Sequence, residues 1–304
     1  MVLAACGGGQ ESAKPAAAPE APKPAAPVAA PAPTPPPAAA AATVDFDQVL
    51  AGSWRSDANK ARDVYRHPRE TLTFFGLKPN MTVVEITPGG GWFTEILAPL
   101  LKGQGKLSAA LVDATTVEKE GTRNYLIKSN TAYREKLAAD AERYGAVDVR
   151  EFPMSAPVLG APASADMVLT FRNVHNFMMW NTDKALFKAA FDVLKPGGVL
   201  GVTDHRAAAG ADLEKIKKSG YITEDYVIQL ATDAGFQLQE KSEINANPKD
   251  TKDYEGGVWT LPPTLGLGDK DKDKYLAIGE SDRMTLKFVK PATAAASPSE
   301  SAKQ

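Results

Sequence analysis

The sequence predicts an α/β fold built on a doubly wound, mostly parallel sheet with an antiparallel strand at one edge. Short apolar segments with the length of strands alternate with amphipathic segments with the length of helices, a pattern typical of a parallel sheet covered on both faces. Consecutive glycines at residues 89–91 join the first strand to the next helix. The final strand follows another strand, so an antiparallel pair is expected at the sheet edge.

The first half of the chain supplies the start of this sheet. Residues 45–59 predict a short helix and a turn, and Pro68 suits the first position of a second helix, where its missing N–H costs nothing. The first strand is predicted over residues 82–86 and the second over residues 106–112, after Gly103 and Gly105. Between them we predict a helix over 92–101, because its large apolar residues fall on one side: Phe93, Ile96, Leu97 and Leu100.

The second half continues the alternation. Helices are predicted over 132–144, 184–194 and 223–234, and strands over 147–152, 166–171, 199–203, 236–242 and 283–289. Pro196-Gly197-Gly198 is expected to stop the helix over 184–194. Acidic residues in the first turn of the helix over 223–234 favour its dipole, and Gly235 is expected to end it.

The composition predicts which part of the chain folds and which classes of partner are excluded. The chain has 304 residues, 43% hydrophobic and 24% charged, with a net charge of -2, which does not indicate a nucleic-acid partner. No apolar run reaches the roughly 20 residues that a membrane-spanning helix needs. The Ala/Pro-rich segment over 7–44 and the Ala/Ser-rich tail over 292–304 predict disorder, because neither can bury enough apolar surface. One domain is therefore expected over 45–291.

The N-terminal residues predict a lipid anchor. Leu3-Ala4-Ala5-Cys6 is similar to the end of a bacterial lipoprotein signal, so residues 1–6 are interpreted as its remnant and Cys6 as the lipidation site. Gly7 favours the periplasmic face of the outer membrane, with the lipid as the only membrane contact. The charged and apolar regions of a signal are missing. A cytoplasmic location therefore remains the alternative.

The segment over 83–92 is the main candidate ligand site. It places Glu85 near the end of the first strand and Gly89, Gly90 and Gly91 in the turn that follows. Glycines permit positive φ and a close approach of the backbone to a ligand, and the next helix presents unpaired N–H groups. Glu85 can accept hydrogen bonds from ligand hydroxyls or from an ammonium group. A structural turn without a ligand is the alternative.

This segment resembles motif I of class I S-adenosylmethionine-dependent methyltransferases, with Glu85 as the acidic residue, Gly89 and Gly91 as two of the glycines, and Thr87 in place of the first glycine. Residues 45–291 resemble a family of predicted bacterial exported methyltransferases. Its hallmarks here are Tyr65-Arg66-His67-Pro68, Pro88-Gly89-Gly90-Gly91-Trp92, Phe171-Arg172-Asn173-Val174-His175-Asn176, Thr203-Asp204-His205-Arg206 and Asn247-Pro248-Lys249-Asp250. The resemblance implies a Rossmann-like fold, S-adenosylmethionine as cofactor and a small-molecule methyl acceptor.

The same resemblance predicts further cofactor contacts. The second strand of such enzymes ends in an acidic residue that binds both ribose hydroxyls, but the matching position holds Leu111, with Asp113 two residues later. We take Asp113 as the candidate. Thr87 and Gly90 complete the predicted turn contacts, and Arg172 is a candidate partner for a ligand carboxylate.

Two histidines follow neighbouring strands of the predicted sheet. His175 comes after the fourth strand and His205 after the fifth, so both are expected at the crevice beyond the strand ends, close enough to meet. One of them is a candidate general base, with Asp204 to orient it and Asn173 to hold substrate. Bonds to the loop backbone are the alternative. A zinc site is conceivable from the same residues, but no metal is predicted, since no further His or Cys cluster supports one.

Two other functions stay open. A lipid-anchored exported enzyme would not ordinarily meet a cofactor made in the cytoplasm, which favours a non-catalytic envelope protein that binds another ligand on the same scaffold. A nicotinamide-dependent oxidoreductase would require Gly-x-Gly-x-x-Gly, and the turn lacks that spacing. The acceptor and the oligomeric state do not follow from the sequence.

Overall fold

The computed structural model describes residues 44–292, which contain a seven-stranded sheet of order β3-β2-β1-β4-β5-β7-β6. The strands are β1 (Thr82–Ile86), β2 (Lys106–Asp113), β3 (Asp148–Pro153), β4 (Ala165–Phe171), β5 (Leu194–His205), β6 (Gln237–Ser242) and β7 (Arg283–Val289). β1 to β5 pair in parallel, whereas β7 lies antiparallel between β5 and the edge strand β6. The predicted mostly parallel sheet with an antiparallel pair at one edge is confirmed.

Helices connect the strands and cover the sheet. They are α1 (Phe46–Ala51), α2 (Asp57–Lys60), α3 (Asp63–Arg66), α4 (Pro68–Phe75), α5 (Thr94–Leu101), α6 (Glu120–Ala139), α7 (Ala141–Tyr144), α8 (Val174–Met179), α9 (Asp183–Val193), α10 (Leu213–Ile216), α11 (Glu224–Asp233) and α12 (Lys272–Ile278). Short 3-10 helices lie at Ala114–Thr116 and Gly257–Thr260. Within residues 44–292, none of the helices has both the length and the apolar character to cross a bilayer.

Two apolar cores lie on opposite faces of the sheet. Along β1, Val84 and Ile86 belong to one core and Val83 to the other, as expected from the alternation of side chains along a strand. β4 divides in the same way, with Val168 on the first side and Leu169 on the second. Burial on both faces explains why the central strands β1 and β4 are mostly apolar, whereas the edge strands β3 and β6 are polar and exposed. The edge at the strand carboxyl ends stays available for a polar site.

Several predicted boundaries are wrong. The helix predicted over 132–144 begins at Glu120 and breaks at Asp140, whose φ of -141° ends α6 and whose carboxylate caps α7. The helix predicted from residue 92 begins at Thr94. The predicted stop at Pro196-Gly197-Gly198 lies inside β5, because α9 already ends at Val193 and the chain extends there to pair with β4. The prediction that Pro68 opens a helix is confirmed.

The predicted terminal features lie almost entirely outside the described residues. These are the lipidation site at Cys6, the Ala/Pro-rich segment over 7–44 and the Ala/Ser-rich tail over 292–304. The structure describes only Val44 and Ala292 of them. They stay predictions.

Candidate functional site

A cavity of about 770 Å³ opens at the carboxyl ends of β1, β4 and β5. In open α/β sheets this is the edge at which ligands bind. The cavity wall includes the turn after β1, the loop after β4 and the end of β5, together with the start of α6 and residues 258–264. Eight of the residues predicted from the sequence line it: Glu85, Thr87, Gly89, Gly90, Arg172, Asn173, His175 and His205.

The turn after β1 has the open backbone that the glycines predict. Gly89 and Gly91 have φ of 58° and 71°, in the left-handed region that favours glycine. A β-carbon built at Gly89 or Gly90 meets no other atom within 4 Å, so both glycines leave open space. At Gly91 it would lie 3.1 Å from the ring of Tyr133, which makes this glycine a packing requirement. The backbone of the turn can therefore approach a ligand closely.

Thr87 replaces the first glycine of the motif at a cost in backbone strain. Its φ is 46°, an unfavourable value for a β-branched residue. Its amide donates to the carbonyl of Ala110, 2.8 Å away, which extends the pairing of β1 and β2 by one residue. The side chain of Asn173 donates to the Thr87 carbonyl over 3.0 Å and to that of Phe171 over 3.0 Å. Asn173 thus braces the turn against the β4 loop.

Glu85 is a buried carboxyl group at the floor of the cavity. The hydroxyl of Thr94 donates to its Oε2 over 2.6 Å and lies 3.2 Å from the hydroxyl of Tyr133. Burial raises the pKa of Glu85 from its ordinary 4.5 to about 7, against the lowering effects of the Thr94 hydrogen bond and of the charge on Lys136. Near neutral pH, a cationic ligand group would therefore favour the ionised form.

Asp204 and His175 form a buried, hydrogen-bonded pair. The Nδ1 atom of His175 lies 2.8 Å from Oδ1 of Asp204, and both residues are buried. A carboxylate oxygen that accepts this hydrogen bond places the proton on Nδ1, and in the neutral ring Nε2 is then the acceptor. The backbone amides of His175 and His205 also donate to Asp204, over 3.1 and 2.7 Å. This arrangement fixes the imidazole ring beside the cavity.

His205 lies next to this pair. The two imidazole centroids are 5.1 Å apart, which confirms that the histidines meet. Nδ1 of His205 lies 2.5 Å from Oγ of Ser281. Burial lowers the pKa of His205 well below its ordinary value, and nearby positive charge, including that of Arg172, lowers it further. His205 is therefore a neutral group at physiological pH.

The three side chains also satisfy the distance requirement of a metal site, since one donor atom from each of His175, Asp204 and His205 lies within 4.8 Å of the others. The hydrogen bonds argue against that use. Both oxygens of Asp204 already accept backbone amides. The charge of Arg172 acts on both Asp204 and His205, so a cation would be repelled. The geometry favours a hydrogen-bonded pair with a neutral neighbour.

Asp113, the predicted ribose contact, lies away from the cavity. The carboxylate of Asp113 accepts the amide and the hydroxyl of Thr115, over 2.9 and 2.6 Å, and is not part of the cavity wall. Leu111, at the position of the ribose-binding acid, is buried in the core. His67 also lies outside the wall and precedes α4 with a φ of 39°, in keeping with a structural role.

The sequence did not reveal a cluster of three arginines around Glu280, which lines the cavity next to Ser281. Glu280 accepts hydrogen bonds from Arg62 over 2.5 Å, from Arg66 over 3.2 Å and from Arg283 over 3.0 Å. The sequence motif includes Arg66, but Glu280, to which Arg66 donates, lies 214 residues further along the chain. No local sequence pattern predicts that pairing.

Comparisons with known proteins support the fold. No family model matches the sequence, and no curated protein matches it either. Among solved structures, the cyclase SpnF is 14% identical, with 80% of this chain and 86% of that chain covered and a TM-score of 0.52. A SAM-dependent methyltransferase from Aquifex aeolicus is 16% identical, with 76% and 93% covered and a TM-score of 0.49.

The protein BH2331 from Bacillus halodurans is 16% identical, with 74% of this chain and 99% of that chain covered and a TM-score of 0.47. The strand order and the likeness to SpnF show that the chain has a Rossmann-like fold. At these identities the likeness concerns the fold alone, and one fold supports more than one activity.

Proposed function

We propose that the protein transfers a methyl group from S-adenosylmethionine to a small-molecule acceptor. The observation that carries the proposal is the convergence of three features on one cavity: an open glycine turn, a buried acidic residue beneath it, and an imidazole held by a carboxylate.

The residues present fit such a cofactor in part. The open space over Gly89 and Gly90 admits a ligand against the backbone, and Glu85 can accept hydrogen bonds from its ammonium group or hydroxyls. When bound, S-adenosylmethionine supplies an electrophilic methyl group, which bonds to the acceptor's lone pair while the C–S electron pair stays on the sulfur of S-adenosylhomocysteine. The main task of the protein is to align the acceptor with that methyl group.

His175 is the candidate general base for this reaction. Its Nε2 atom takes the proton that a hydroxyl acceptor loses, while Asp204 holds the ring and stabilises the positive charge that develops. His205 stays neutral beside the base. Removal of a proton by a positioned base typically contributes about 10²–10⁴-fold to a rate.

One observation favours a second function, the binding of a ligand without catalysis. The carboxylate of Asp113 is turned into its own turn and Leu111 is buried, so neither supplies the acidic contact to a ribose that the methyltransferase motif includes. A protein that has lost the cofactor would retain the cavity and the imidazole pair as a binding site for another molecule.

An experiment that measures methyl transfer distinguishes the two functions. The full chain is incubated with S-adenosylmethionine labelled in its methyl group and a small-molecule extract of bacterial cells. The proposal predicts a labelled product with one S-adenosylhomocysteine per methyl group, and strongly reduced transfer with His175→Gln. If no molecule of the extract gains the label but one of them binds to the protein saturably, the second function is supported instead.

We also propose that Cys6 carries a lipid that tethers the domain over 45–291 to the periplasmic face of the outer membrane. The support is the sequence Leu3-Ala4-Ala5-Cys6 followed by an Ala/Pro-rich segment. Cells expressing the natural gene are grown with labelled palmitate. Label on the wild type but not on Cys6→Ser, with the protein in the outer-membrane fraction, is the expected result. An unlabelled, cytosolic protein would contradict it.

A further inference from the structure

The part of the protein around Glu280, at the cavity wall, carries more positive charge than its carboxylates neutralise. Arg62, Arg66 and Arg283 all pair with one carboxylate, Glu280. Burial raises the pKa of Glu280, but these three guanidinium groups outweigh that effect and bring the pKa to about 2. Glu280 is therefore fully ionised, and its single charge is shared among three cations. No excess negative charge remains there for a further cation.

Arg172 is the fourth guanidinium in this region and has no such partner. Its Nε atom is buried without a hydrogen bond, and within residues 44–292 its side chain forms no ion pair. Although part of the residue faces the cavity, burial lowers the pKa of Arg172 from 12.5 to about 10, against the raising effect of the charge on Glu280. It is still charged at neutral pH. A desolvated charge without a partner is costly, which makes it a strong site for an anion.

The backbone holds Arg172 in this position. Its φ of 59° lies in the left-handed region, and its amide donates to the carbonyl of Thr203 over 2.7 Å at the end of the β4–β5 pairing. Strain of this kind persists where the surrounding structure imposes it, and such positions cluster at functional sites. The next residues along the chain are Asn173, which braces the glycine turn, and His175, the candidate base.

Aromatic side chains form the wall near Arg172. The rings of Phe93 and Phe171 are stacked with centroids 3.5 Å apart, and Trp180 and Trp259 also line the cavity. The indole of Trp259 lies 6.3 Å from the ring of His175. Flat apolar surfaces of this kind favour a planar apolar ligand body in this cavity.

We propose that the methyl acceptor is a small aromatic hydroxy acid whose carboxylate binds Arg172. This inference rests on the proposed methyl transfer. The carboxylate pairs with the unpartnered guanidinium and keeps its charge throughout, while the ring lies against the aromatic wall. The hydroxyl group faces His175, whose Nε2 atom takes its proton as the oxygen gains the methyl group. A guanidinium matches a carboxylate through two parallel hydrogen bonds, which Lys cannot reproduce.

The test is a calorimetric titration of the full chain, saturated with S-adenosylhomocysteine, with 4-hydroxybenzoate and with its neutral analogue 4-hydroxybenzamide. The wild type should bind the acid roughly tenfold or more tightly than the amide, as expected for a charged hydrogen bond in a desolvated site. Arg172→Met should lose this preference, and Arg172→Lys should retain part of it. Arg150→Met is the matched control, because Arg150 pairs with Asp148 on β3, away from this cavity.

Other outcomes would overturn the proposal. Equal binding of acid and amide by the wild type, or no binding of the acid at millimolar concentration, removes the anion site. If Arg172→Met weakens S-adenosylhomocysteine itself as strongly as the acid, Arg172 binds the carboxylate of the cofactor and not that of the acceptor. If the acid binds but S-adenosylhomocysteine does not bind to the wild type, the proposed methyl transfer fails while the anion site stands.

Discussion

The ionisation of Glu85 should make the stability of the protein depend on pH. Burial raises the pKa of this carboxyl group to about 7 in the folded state, from an ordinary value of 4.5. The folded state therefore binds the proton more tightly than the unfolded state does, and stability falls as pH rises from about 4.5 through 7. At 1.36 kcal/mol for each pKa unit, the cost above pH 7 is about 3 kcal/mol. Glu85 is buried, so solvent does not screen this cost.

Glu85→Gln removes the charge and keeps the shape and an acceptor for the Thr94 hydroxyl. We expect its free energy of unfolding to exceed that of the wild type by up to about 3 kcal/mol at pH 8, and the difference to fall below about 1 kcal/mol at pH 5 and to vanish below about pH 4. Urea unfolding followed by tryptophan fluorescence at both pH values measures this. Glu135→Gln, at an exposed position of α6, is the control for the loss of a surface charge.

The same substitution should weaken the cofactor. An amide cannot provide a charged hydrogen bond to an ammonium group, so S-adenosylmethionine should bind roughly tenfold or more weakly at pH 8. Higher stability with lower affinity would mark Glu85 as a residue retained for binding. If Glu85→Gln is less stable than the wild type at pH 8, or has the same pH dependence as Glu135→Gln, the argument from burial is refuted.

Three further substitutions test the site and the sheet. Asp204→Asn should lower the rate of methyl transfer by about 10²–10⁴-fold and leave S-adenosylhomocysteine binding intact, since it removes the acceptor that fixes the His175 tautomer; activity close to wild type would contradict the assignment. Gly91→Ala should lower the free energy of unfolding in urea by about 1–3 kcal/mol, through its φ of 71° and the Tyr133 ring at 3.1 Å, whereas Gly90→Ala should not; equal effects would exclude the packing explanation. Gly201→Ala should cost about 1–3 kcal/mol in the same assay, because its β-carbon would lie 2.7 Å from Leu169 and 2.8 Å from Phe75. Gly121→Ala, with open space in α6, should cost nothing, and a similar loss in both variants would count against the clash.

The strands of the sheet could be predicted from the sequence because each strand is marked by a pattern within its own residues. The strand over 283–289 was predicted with its observed limits, since alternating apolar residues mark a strand regardless of what surrounds it. The start of α6 was missed for the opposite reason. Tyr125 and Ile127 in its first half are exposed, with relative accessibilities of 60% and 50%, so this half has no apolar face to recognise.

The site was predicted in its residue types but not in its pairings. Chain order placed His175 and His205 at neighbouring strand ends, and the structure adds that Asp204 bonds to the ring of His175. The unpartnered state of Arg172 and the sharing of Glu280 by three arginines depend on contacts between distant segments. Asp113 was predicted as a site residue from its position in the sequence, but its carboxylate turns away from the cavity and accepts a hydrogen bond from Thr115.

The most direct test of the central claim is a calorimetric titration of the full chain with S-adenosylhomocysteine. We predict saturable micromolar binding that Gly89→Val weakens roughly tenfold or more, because its side chain would fill the open space over the turn. Gly103→Val is the matched control, since Gly103 also has a positive φ and open space but lies outside this cavity. No binding at millimolar concentration, or equal weakening by both variants, would contradict the claim that this cavity binds the cofactor.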